Sequence, residues 1–489
     1  MENFMCPGFP GLLAPAVFLF TALPAMAQTA PATAPTAPTF ETGSIAWILT
    51  SAALVCFMIP GLAMFYGGMV RSKNVLNTFF GCMACLGVVG FIWIAYGYAT
   101  AFPTVPGPKD SAGVALLDSH GVALPPPPSY FPKPDPNLLF LRGPGTLGTA
   151  EGYGNILTSG DTVGAVPNGV PELAFFAFQG MFAIITPALI FGAVVERIRI
   201  GPFLVFVALW TTFVYLPVAH WVWNPAGWLF QKGVMDFAGG TVVHILGGFS
   251  ALALTLVLGK RRGYDGKTPF LPHSVGLTLL GAGFLMVGWF GFNAGSAIGI
   301  PGAELPVAGA VASLAFVTTM ISACVAALVW TLVEWTVSKR PTNIGFASGL
   351  VAGLVAITPC AGHVTPASSV IVGALAGCVC FFGCRIKHVI KADDSLDVFG
   401  VHGLGGLLGA LLVGLLAIRP LTADNKFPGG FDQLGKQLVG VTTAAIYAFV
   451  ISLLLALALK YTIGLRAKPE DEDAGLDIAL HGEEGYHIN

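Results

Sequence analysis

Long apolar stretches recur along this chain, and each has about the 20 residues that a helix needs to cross a membrane. Hydrophobic residues make up 55% of the 489 residues and charged residues only 10%, whereas a soluble domain has about 25% charged residues. We predict an all-α membrane protein with eleven spans, at 44–67, 75–101, 171–194, 202–220, 236–259, 272–297, 307–336, 343–360, 366–384, 397–418 and 437–461. The net charge of −2 gives no indication of nucleic-acid binding.

The basic residues predict the orientation of these spans. Sixteen of the 23 Lys and Arg residues follow spans one, three, five, seven, nine and eleven. Basic loops concentrate on the cytoplasmic side of membrane proteins. We therefore expect the mature N-terminus outside and the C-terminus inside.

The N-terminal region resembles a secretory signal. An apolar stretch and an A-x-A pattern that ends at Ala27 predict a cleaved signal peptide over 1–27, although an uncleaved N-terminus is the alternative. Residues 28–43 are rich in Pro, Ala and Thr and are expected to form a flexible linker. A Pro- and Gly-rich external insert at 102–170 is expected to be irregular, and we assign it no chemistry.

Two histidines fall inside predicted spans, where ionisable side chains are costly and usually functional. His244 follows Asp236 by eight residues in span five, and His402 follows Asp397 by five residues in span ten. At a rise of about 1.5 Å per residue, the two histidines lie about 12 and 7.5 Å into the helix from these acids. The two spans run in opposite directions, so spans one to five and six to ten predict two inverted repeats, followed by a final helix. Inverted repeats place the substrate path at their interface.

Simpler interpretations of these polar residues stay open. Either histidine could be a packed, hydrogen-bonded residue. Metal ligation is disfavoured because no Cys or carboxylate has ligand spacing to them in a helix, and we expect neither metal nor cofactor. Asp236 is expected to cap its helix, with direct cation binding as the alternative. The CxxC of Cys82 and Cys85 lies mid-span, which favours packing over redox chemistry.

Six strings resemble motifs of the ammonium transporter family (Amt/Mep/Rh), and most closely its bacterial Amt branch. The strings are FYGGMVRSKNVLN, FQGMFAIITPALIFGAVVERIR, DFAGGTVVH, GWFGFNAGS, GFASGLVAGLVAITP and DVFGVHG. The resemblance covers nearly all of 44–467. It implies a homotrimer in the cell inner membrane, in which each eleven-helix subunit has its own pore for ammonium or methylammonium.

The resemblance also implies roles for five aromatic or hydroxyl residues. Phe182, Trp223 and Ser296 would form an outer site that recruits ammonium, because aromatic faces attract cations and a serine oxygen accepts an N–H. Phe182 and Phe292 would stack as a constriction below this site, and Trp289 would line the pore wall. Without the resemblance, ordinary packing would be the simpler account of these aromatic rings.

Below the constriction, the resemblance implies that His244 and His402 share a hydrogen bond in a narrow apolar conduit. An ammonium ion would pay a heavy desolvation cost there, whereas neutral ammonia would not. We therefore expect deprotonation near the outer site, passage of ammonia, and relay of the proton along the histidines. Alternatives are an ammonium sensor with little conduction, an integral membrane enzyme, and a proton-coupled transporter of another amine. The short tail disfavours a self-contained sensor, and the absence of a long cytoplasmic loop disfavours an enzyme.

The tail, residues 468–489, is predicted to be cytoplasmic. Its acidic run precedes GLDIALHGEEGY, which resembles the tail of bacterial members. There, a PII-type (GlnK-like) regulatory protein docks and plugs the pore, and we expect the same kind of partner here. A disordered, solubilising tail is the alternative.

Overall fold

A computed structural model of the protein describes residues 42–103, 105–111, 116, 124, 126–141, 162–163, 170–266, 268, 270–299, 305–418 and 429–486. The predicted signal peptide, most of the linker and most of the external insert lie outside these residues. Within the insert, β1 (Val105–Pro106) pairs antiparallel with β2 (Thr162–Val163).

Helices dominate the described residues. They are α1 (Thr42–Met69), α2 (Ser72–Ala101), α3 (Glu172–Val194), α4 (Ile200–Trp223), α5 (Gly240–Leu258), α6 (Val275–Gly295), α7 (Leu305–Ser338), α8 (Asn343–Ile357), α9 (Pro366–Gly383), α10 (Phe399–Leu416), α11 (Phe431–Thr462) and α12 (Pro469–Ala474). The predicted class, an all-α membrane protein, is therefore confirmed.

Each of the eleven predicted spans coincides with one of the helices α1 to α11. Among the described residues, ten helices are long and apolar enough to cross a membrane, whereas α8 has only 15 residues. The chain leaves α8 in a turn that contains Pro359, which shortens this helix relative to the predicted span. The count of eleven crossings and the N-out orientation stay predictions.

Local sequence signals explain where several helices begin. Ser274, Thr342 and Thr365 precede α6, α8 and α9, and their hydroxyls accept N–H groups from the first turn of each helix. Such caps satisfy donors that a helix start leaves without partners. Pro366 opens α9, where the missing N–H costs nothing.

Glycine allows α5 and α10 to cross closely. A Cβ added to Gly248 would lie 2.2 Å from the Gly403 nitrogen and 2.3 Å from its Cα. Similarly, a Cβ on Gly406 would lie 2.9 Å from the Cβ of His244. Small residues let membrane helices approach in this way, and the crossing brings together the helix turns that carry the two histidines.

A buried ionic cluster closes one end of the bundle. Glu196 accepts hydrogen bonds from the backbone and guanidinium of Arg71 and from Arg261 Nη1 at 3.2 Å. Asp393 accepts from the backbone N, Nε and Nη2 of Arg261 at 2.8–2.9 Å. Both carboxylates are 1% exposed. Because Arg261 bridges them, the cluster joins the α2, α3, α5 and α10 segments.

This cluster predicts a loss of stability in acid. Burial alone would raise the pKa of the Glu196 carboxyl, but Arg261 and Arg71 outweigh it and hold the pKa below 4.5. Arg261 likewise holds the pKa of Asp393 below 3.8 against burial. A depressed folded-state pKa contributes stability above the unfolded pKa, and that stability is lost as pH falls through the folded pKa. The melting temperature in detergent should therefore fall below about pH 4.5, and it should fall less steeply in Glu196→Gln. An equally steep fall in that variant would contradict the assignment.

The tail from 468 to 486 is ordered against the same end of the bundle. Asp477 accepts the backbone N–H groups of Leu76 and Asn77 at 3.0 and 2.8 Å, and thereby caps the start of α2. The backbone of Leu476 donates to the Asn74 side chain at 2.9 Å. This part of the tail does not fit the disordered alternative.

Candidate functional site

The two histidines lie on wide helical turns at the crossing of α5 and α10. His244 is part of a π-helical turn, Gly240–Ile245, and His402 of another, Phe399–Gly403. Such turns are rare and are frequently found at functional sites. The two Nδ1 atoms are 3.3 Å apart, and the ring centroids are 5.2 Å apart. The structure therefore brings together the two side chains that the sequence analysis paired.

The contact between the rings restricts their protonation. Two neutral imidazoles can share an Nδ1···Nδ1 hydrogen bond only if one Nδ1 carries a proton and the other accepts it. The two rings must then be in opposite tautomers, with one Nε2 protonated and the other bare. Within the described residues, the buried Nε2 of His244 has no hydrogen-bond partner. This nitrogen is therefore free to exchange a proton or a hydrogen bond with a small molecule.

An aspartate caps each of these turns. Asp236 accepts the N–H groups of Gly239, Thr241 and Val242 at 3.0–3.1 Å. These three donors occupy both carboxylate oxygens, which favours the capping role over direct cation binding. Asp236 also fixes the start of the turn that leads to His244.

At the turn that carries His402, Asp394 rather than Asp397 makes the contacts equivalent to those of Asp236. The Asp394 oxygens accept the N–H groups of Val398 and Phe399 at 3.1 and 2.8 Å. Asp397 instead forms an ion pair with Lys387 at 2.7 Å. Sequence analysis missed Asp394, although it precedes His402 by eight residues, the same spacing as Asp236 to His244. The equal spacing was the signal that could have identified it.

This difference predicts unequal effects of two matched substitutions. Asp394→Asn replaces one acceptor oxygen with an NH2 group that faces a backbone donor, so we expect a loss of about 1–3 kcal/mol. Asp397→Asn keeps the side-chain shape and removes an ion pair that is 35% exposed on the Asp397 side, with an expected loss of about 0–1 kcal/mol. Thermal unfolding of both variants in one detergent measures the comparison. A larger loss in Asp397→Asn would refute the assignment.

Aromatic rings cover one side of the histidine pair. The Phe292 and Trp289 centroids lie 6.0 and 5.3 Å from that of His244, with nearly parallel planes. Phe182 lies 4.3 Å from Phe292, and both phenyl rings are 1% exposed. Phe182 and Phe292 are therefore in contact, as the sequence analysis expected, and their role as a constriction stays a prediction. None of these three aromatic side chains forms a hydrogen bond with His244.

Trp223 and Ser296, which are predicted to belong to an outer site, lie next to the Phe182 and Phe292 pair. The Trp223 centroid is 5.9 Å from that of Phe182, with the rings perpendicular, and its Nε1 donates to the Asp236 carbonyl. Trp221, in contrast, contacts Tyr447 at 4.8 Å. Ser296 is half-buried and donates to the carbonyl of Phe292 at 2.9 Å, four residues earlier in the chain. A hydroxyl that donates in this way keeps its oxygen lone pairs as acceptors.

A narrow cavity lies beside the histidine pair. Its lining combines the two imidazoles with apolar side chains: Met58, Leu62, Phe65, Ile185, Leu189, Val243, His244, Leu285, Trp289, Phe292, Val351 and His402. Trp289 directs its Nε1 to Thr358 Oγ1 at 2.8 Å, which satisfies its polar atom outside this set. The aliphatic lining residues were not predictable from the sequence, because they come from five helices. The cavity can accommodate a small neutral molecule. The two histidines are the only ionisable side chains in its lining, so an ion would find no other charged or titratable partner there.

Comparison with known proteins identifies relatives of this chain by sequence and by fold. The model of the Ammonium Transporter Family matches residues 46–486. An ammonium transporter of Mycobacterium tuberculosis is 44% identical over 467 residues, which cover 91% of this chain and 90% of that protein. The crystal structure of Saccharomyces cerevisiae Mep2 aligns with a TM-score of 0.72 and 31% identity over 88% of this chain and 90% of that one. A structure titled Sensor Amt Protein aligns with a TM-score of 0.73 and 27% identity over 90% and 98%.

Proposed function

Because the chain belongs to the ammonium transporter family, we propose that it transports ammonium across the cell inner membrane and conducts it as ammonia past His244 and His402. Membership of a transporter family places the chain with transporters rather than enzymes. The observation that most supports the mechanism is the buried histidine pair, with its 3.3 Å contact, beside an otherwise apolar cavity.

Ammonium is recruited at Trp223, Phe182 and Ser296. The Trp223 and Phe182 rings are perpendicular and their centroids are 5.9 Å apart, so a cation between them can approach the face of one of the rings. A cation within about 6 Å of an aromatic centroid is stabilised by the ring quadrupole. The Ser296 oxygen accepts one ammonium N–H, because its own proton is already donated to Phe292.

The stacked Phe182 and Phe292 rings enforce deprotonation. Passage requires these rings to move apart, and an ion that enters an apolar passage loses its water without replacement hydrogen bonds. Ammonium can shed a proton and continue as a neutral molecule. A potassium ion cannot, so the same passage excludes it. Selectivity against K⁺ therefore follows from desolvation and needs no size filter.

The proton crosses on the histidine pair. The bare Nε2 of His244 accepts the proton from ammonium, its Nδ1 proton passes to the Nδ1 of His402, and the His402 Nε2 passes its own proton to an ammonia molecule beyond the pair. Each transfer forms one N–H bond and breaks another, so charge moves while both rings stay in place. The passage leaves both rings in the opposite tautomer, and both must return before a second proton can follow in the same direction.

An ammonium sensor with little conduction is the second candidate, and the similarity to the Sensor Amt Protein favours considering it. Purified protein in proteoliposomes should give a transient current after an ammonium pulse and none after a K⁺ pulse. It should also take up labelled methylammonium in competition with ammonium. Ammonium binding without current or uptake would favour the sensor, and the lack of both binding and current would reject the proposal.

The proposal extends to topology, assembly and regulation. We infer that residues 1–27 are a signal peptide, that 44–467 form the transporter domain, and that the subunit works in a homotrimer. A PII-type protein is the proposed partner at the cytoplasmic face, where the tail that contains Asp477 contacts the start of α2. Pull-down should show binding that responds to ATP, ADP and 2-oxoglutarate. Binding indifferent to all three would argue against this partner.

A further inference from the structure

Part of the insert between α2 and α3 lies against the loop that follows α4. The backbone N–H of Ser129 donates to the carbonyl of Ala226 at 2.7 Å. The rings of Tyr130 and Trp228 pack with their centroids 5.7 Å apart. Residues 126–131 of the insert are therefore attached to this loop, and we call this segment the strap.

Two side chains donate hydrogen bonds to backbone carbonyls of the strap. Trp221 Nε1 donates to the Tyr130 carbonyl at 2.6 Å, and Gln231 Nε2 donates to the Pro126 carbonyl at 2.7 Å. Trp221 is only 6% exposed, and in the described part of the chain the Tyr130 carbonyl is the acceptor for its N–H. Without the strap, this buried donor would lose its partner, an arrangement that folded proteins avoid.

The sequence of the strap limits its conformational freedom. Four consecutive prolines, at 125–128, precede Ser129. Each proline ring fixes φ near −65°, so such a segment loses less conformational entropy on ordering than a glycine-rich loop does. Pro126 is also buried. The strap can therefore keep its hydrogen bonds to the end of α4 with little loss of entropy.

These contacts hold the helical turn that ends in Trp223. Trp221 lies in the same turn, and on another side the Asn224 amide donates to carbonyls at and just beyond the end of α2. Trp223 itself donates to the Asp236 carbonyl, and its ring centroid lies 5.9 Å from that of Phe182. An aromatic ring attracts a cation within about 6 Å of its centroid. A shift of this turn would therefore weaken the attraction.

We propose that the strap positions Trp223 against Phe182 and thereby sets the ammonium affinity of the recruitment site. The inference rests on the proposed function, because it takes Trp223 as a residue that binds ammonium. The strap acts through Trp221 and Gln231, and its hydrogen bonds do not involve the histidine pair. Loss of the strap should therefore raise KM and leave the maximal rate unchanged, which is the signature of lost uniform binding.

Uptake of labelled methylammonium by proteoliposomes, measured over a range of concentrations, tests the strap. Trp221→Phe keeps an aromatic ring against Tyr447 and removes the Nε1 donor. Pro126→Gly/Pro127→Gly/Pro128→Gly keeps the strap carbonyls and removes their restraint. Each variant should raise KM about fivefold, the scale of one cation–π interaction. The maximal rate per reconstituted protein should not change.

Tyr447→Phe is the matched control. The Tyr447 hydroxyl donates to the carbonyl of Phe213, which also belongs to α4, at 2.8 Å, and the substitution keeps the ring that contacts Trp221. This control should keep the wild-type KM. Trp223→Leu should raise KM by itself. The addition of Trp221→Phe to Trp223→Leu should raise KM no further, because the strap acts through Trp223.

The strap and the recruitment site can fail separately. If Trp223→Leu raised KM but Trp221→Phe and the triple glycine variant did not, the strap would be refuted and the proposed function would stand. An unchanged KM in Trp223→Leu would reject the recruitment site and the strap with it. An equal rise in Tyr447→Phe, or additive rises in the double variant, would contradict action through Trp223. A wild type that binds ammonium without transport would refute transport alone, and the same variants would then be compared by ammonium affinity.

Discussion

Replacing both His244 and His402 by Ala should reduce the ammonium current of proteoliposomes by about a hundredfold or more, the usual effect of removing a positioned proton-transfer group. The 3.3 Å Nδ1···Nδ1 contact is the only direct link between ionisable side chains among the residues that line the cavity. The double alanine substitution removes the proton acceptor, the proton donor and the hydrogen bond between the two imidazoles. Currents after an ammonium pulse, normalised to the amount of reconstituted protein, measure the effect.

The single variants and one control sharpen this test. His244→Ala and His402→Ala should each lose nearly as much current as the double variant, because a relay fails when either member is absent. His388→Ala removes an exposed histidine beyond α9 and should leave the current unchanged. If the double variant retained its ammonium current and still excluded K⁺, the histidines would not relay the proton.

Gly248→Ala should disrupt both folding and transport, whereas the neighbouring Gly247→Ala should not. A Cβ at Gly248 would meet the backbone of Gly403 at 2.2 Å, so α5 and α10 would have to separate. Overpacking of this kind costs about 1–3 kcal/mol. The separation would also lengthen the contact between the histidines, so we expect loss of current in any protein that still folds. Thermal unfolding and the ammonium-pulse current measure the two effects.

Gly247 provides an internal control on the same helix. An added Cβ there would lie 3.6 Å from Leu189 Cδ1, which is an ordinary van der Waals contact. Alanine also has a higher helix propensity than glycine. Gly247→Ala should therefore keep the wild-type current and melting temperature. Equal losses in the two variants would show that sensitivity at this position does not come from the crossing of α5 and α10.

Much of this architecture could be predicted from the sequence because hydrophobic length is a local signal. Each predicted span coincides with a helix, and the largest displacement is at the start of α11, where Phe431 rather than residue 437 begins the helix. The polar residues of its first turns, among them Gln433 and Gln437, concealed the true start. Both are buried and donate to the carbonyls of Gly233 and Met235. Hydropathy does not register hydrogen bonds that a distant loop satisfies.

The site was predictable in its residues but not in its local geometry. The position of both histidines inside apolar spans identified them, and motif resemblance identified the aromatic residues. The structure brings His244, Phe292 and Phe182 together as neighbouring rings. The π-helical turns have no sequence periodicity of their own. Asp394 was missed because Asp397 lies closer to the DVFGVHG string, and only the hydrogen bonds to Val398 and Phe399 distinguish the two acids.

Asp393 and Asp394 are adjacent in the chain, but their side chains bind different parts of the molecule, and together they connect those parts. Asp393 is bound to Arg261, and Asp394 is bound to the first turn of α10. Through Arg261 and Glu196, Asp393 is also connected to Asn74, whose side chain accepts the Leu476 N–H of the tail. The peptide bond between the two aspartates therefore lies on a continuous path of contacts between the tail and the helix that bears His402. A displacement of the tail can reach that helix along this path, which consists of hydrogen bonds at Asn74, ion pairs at Arg261 and one peptide unit.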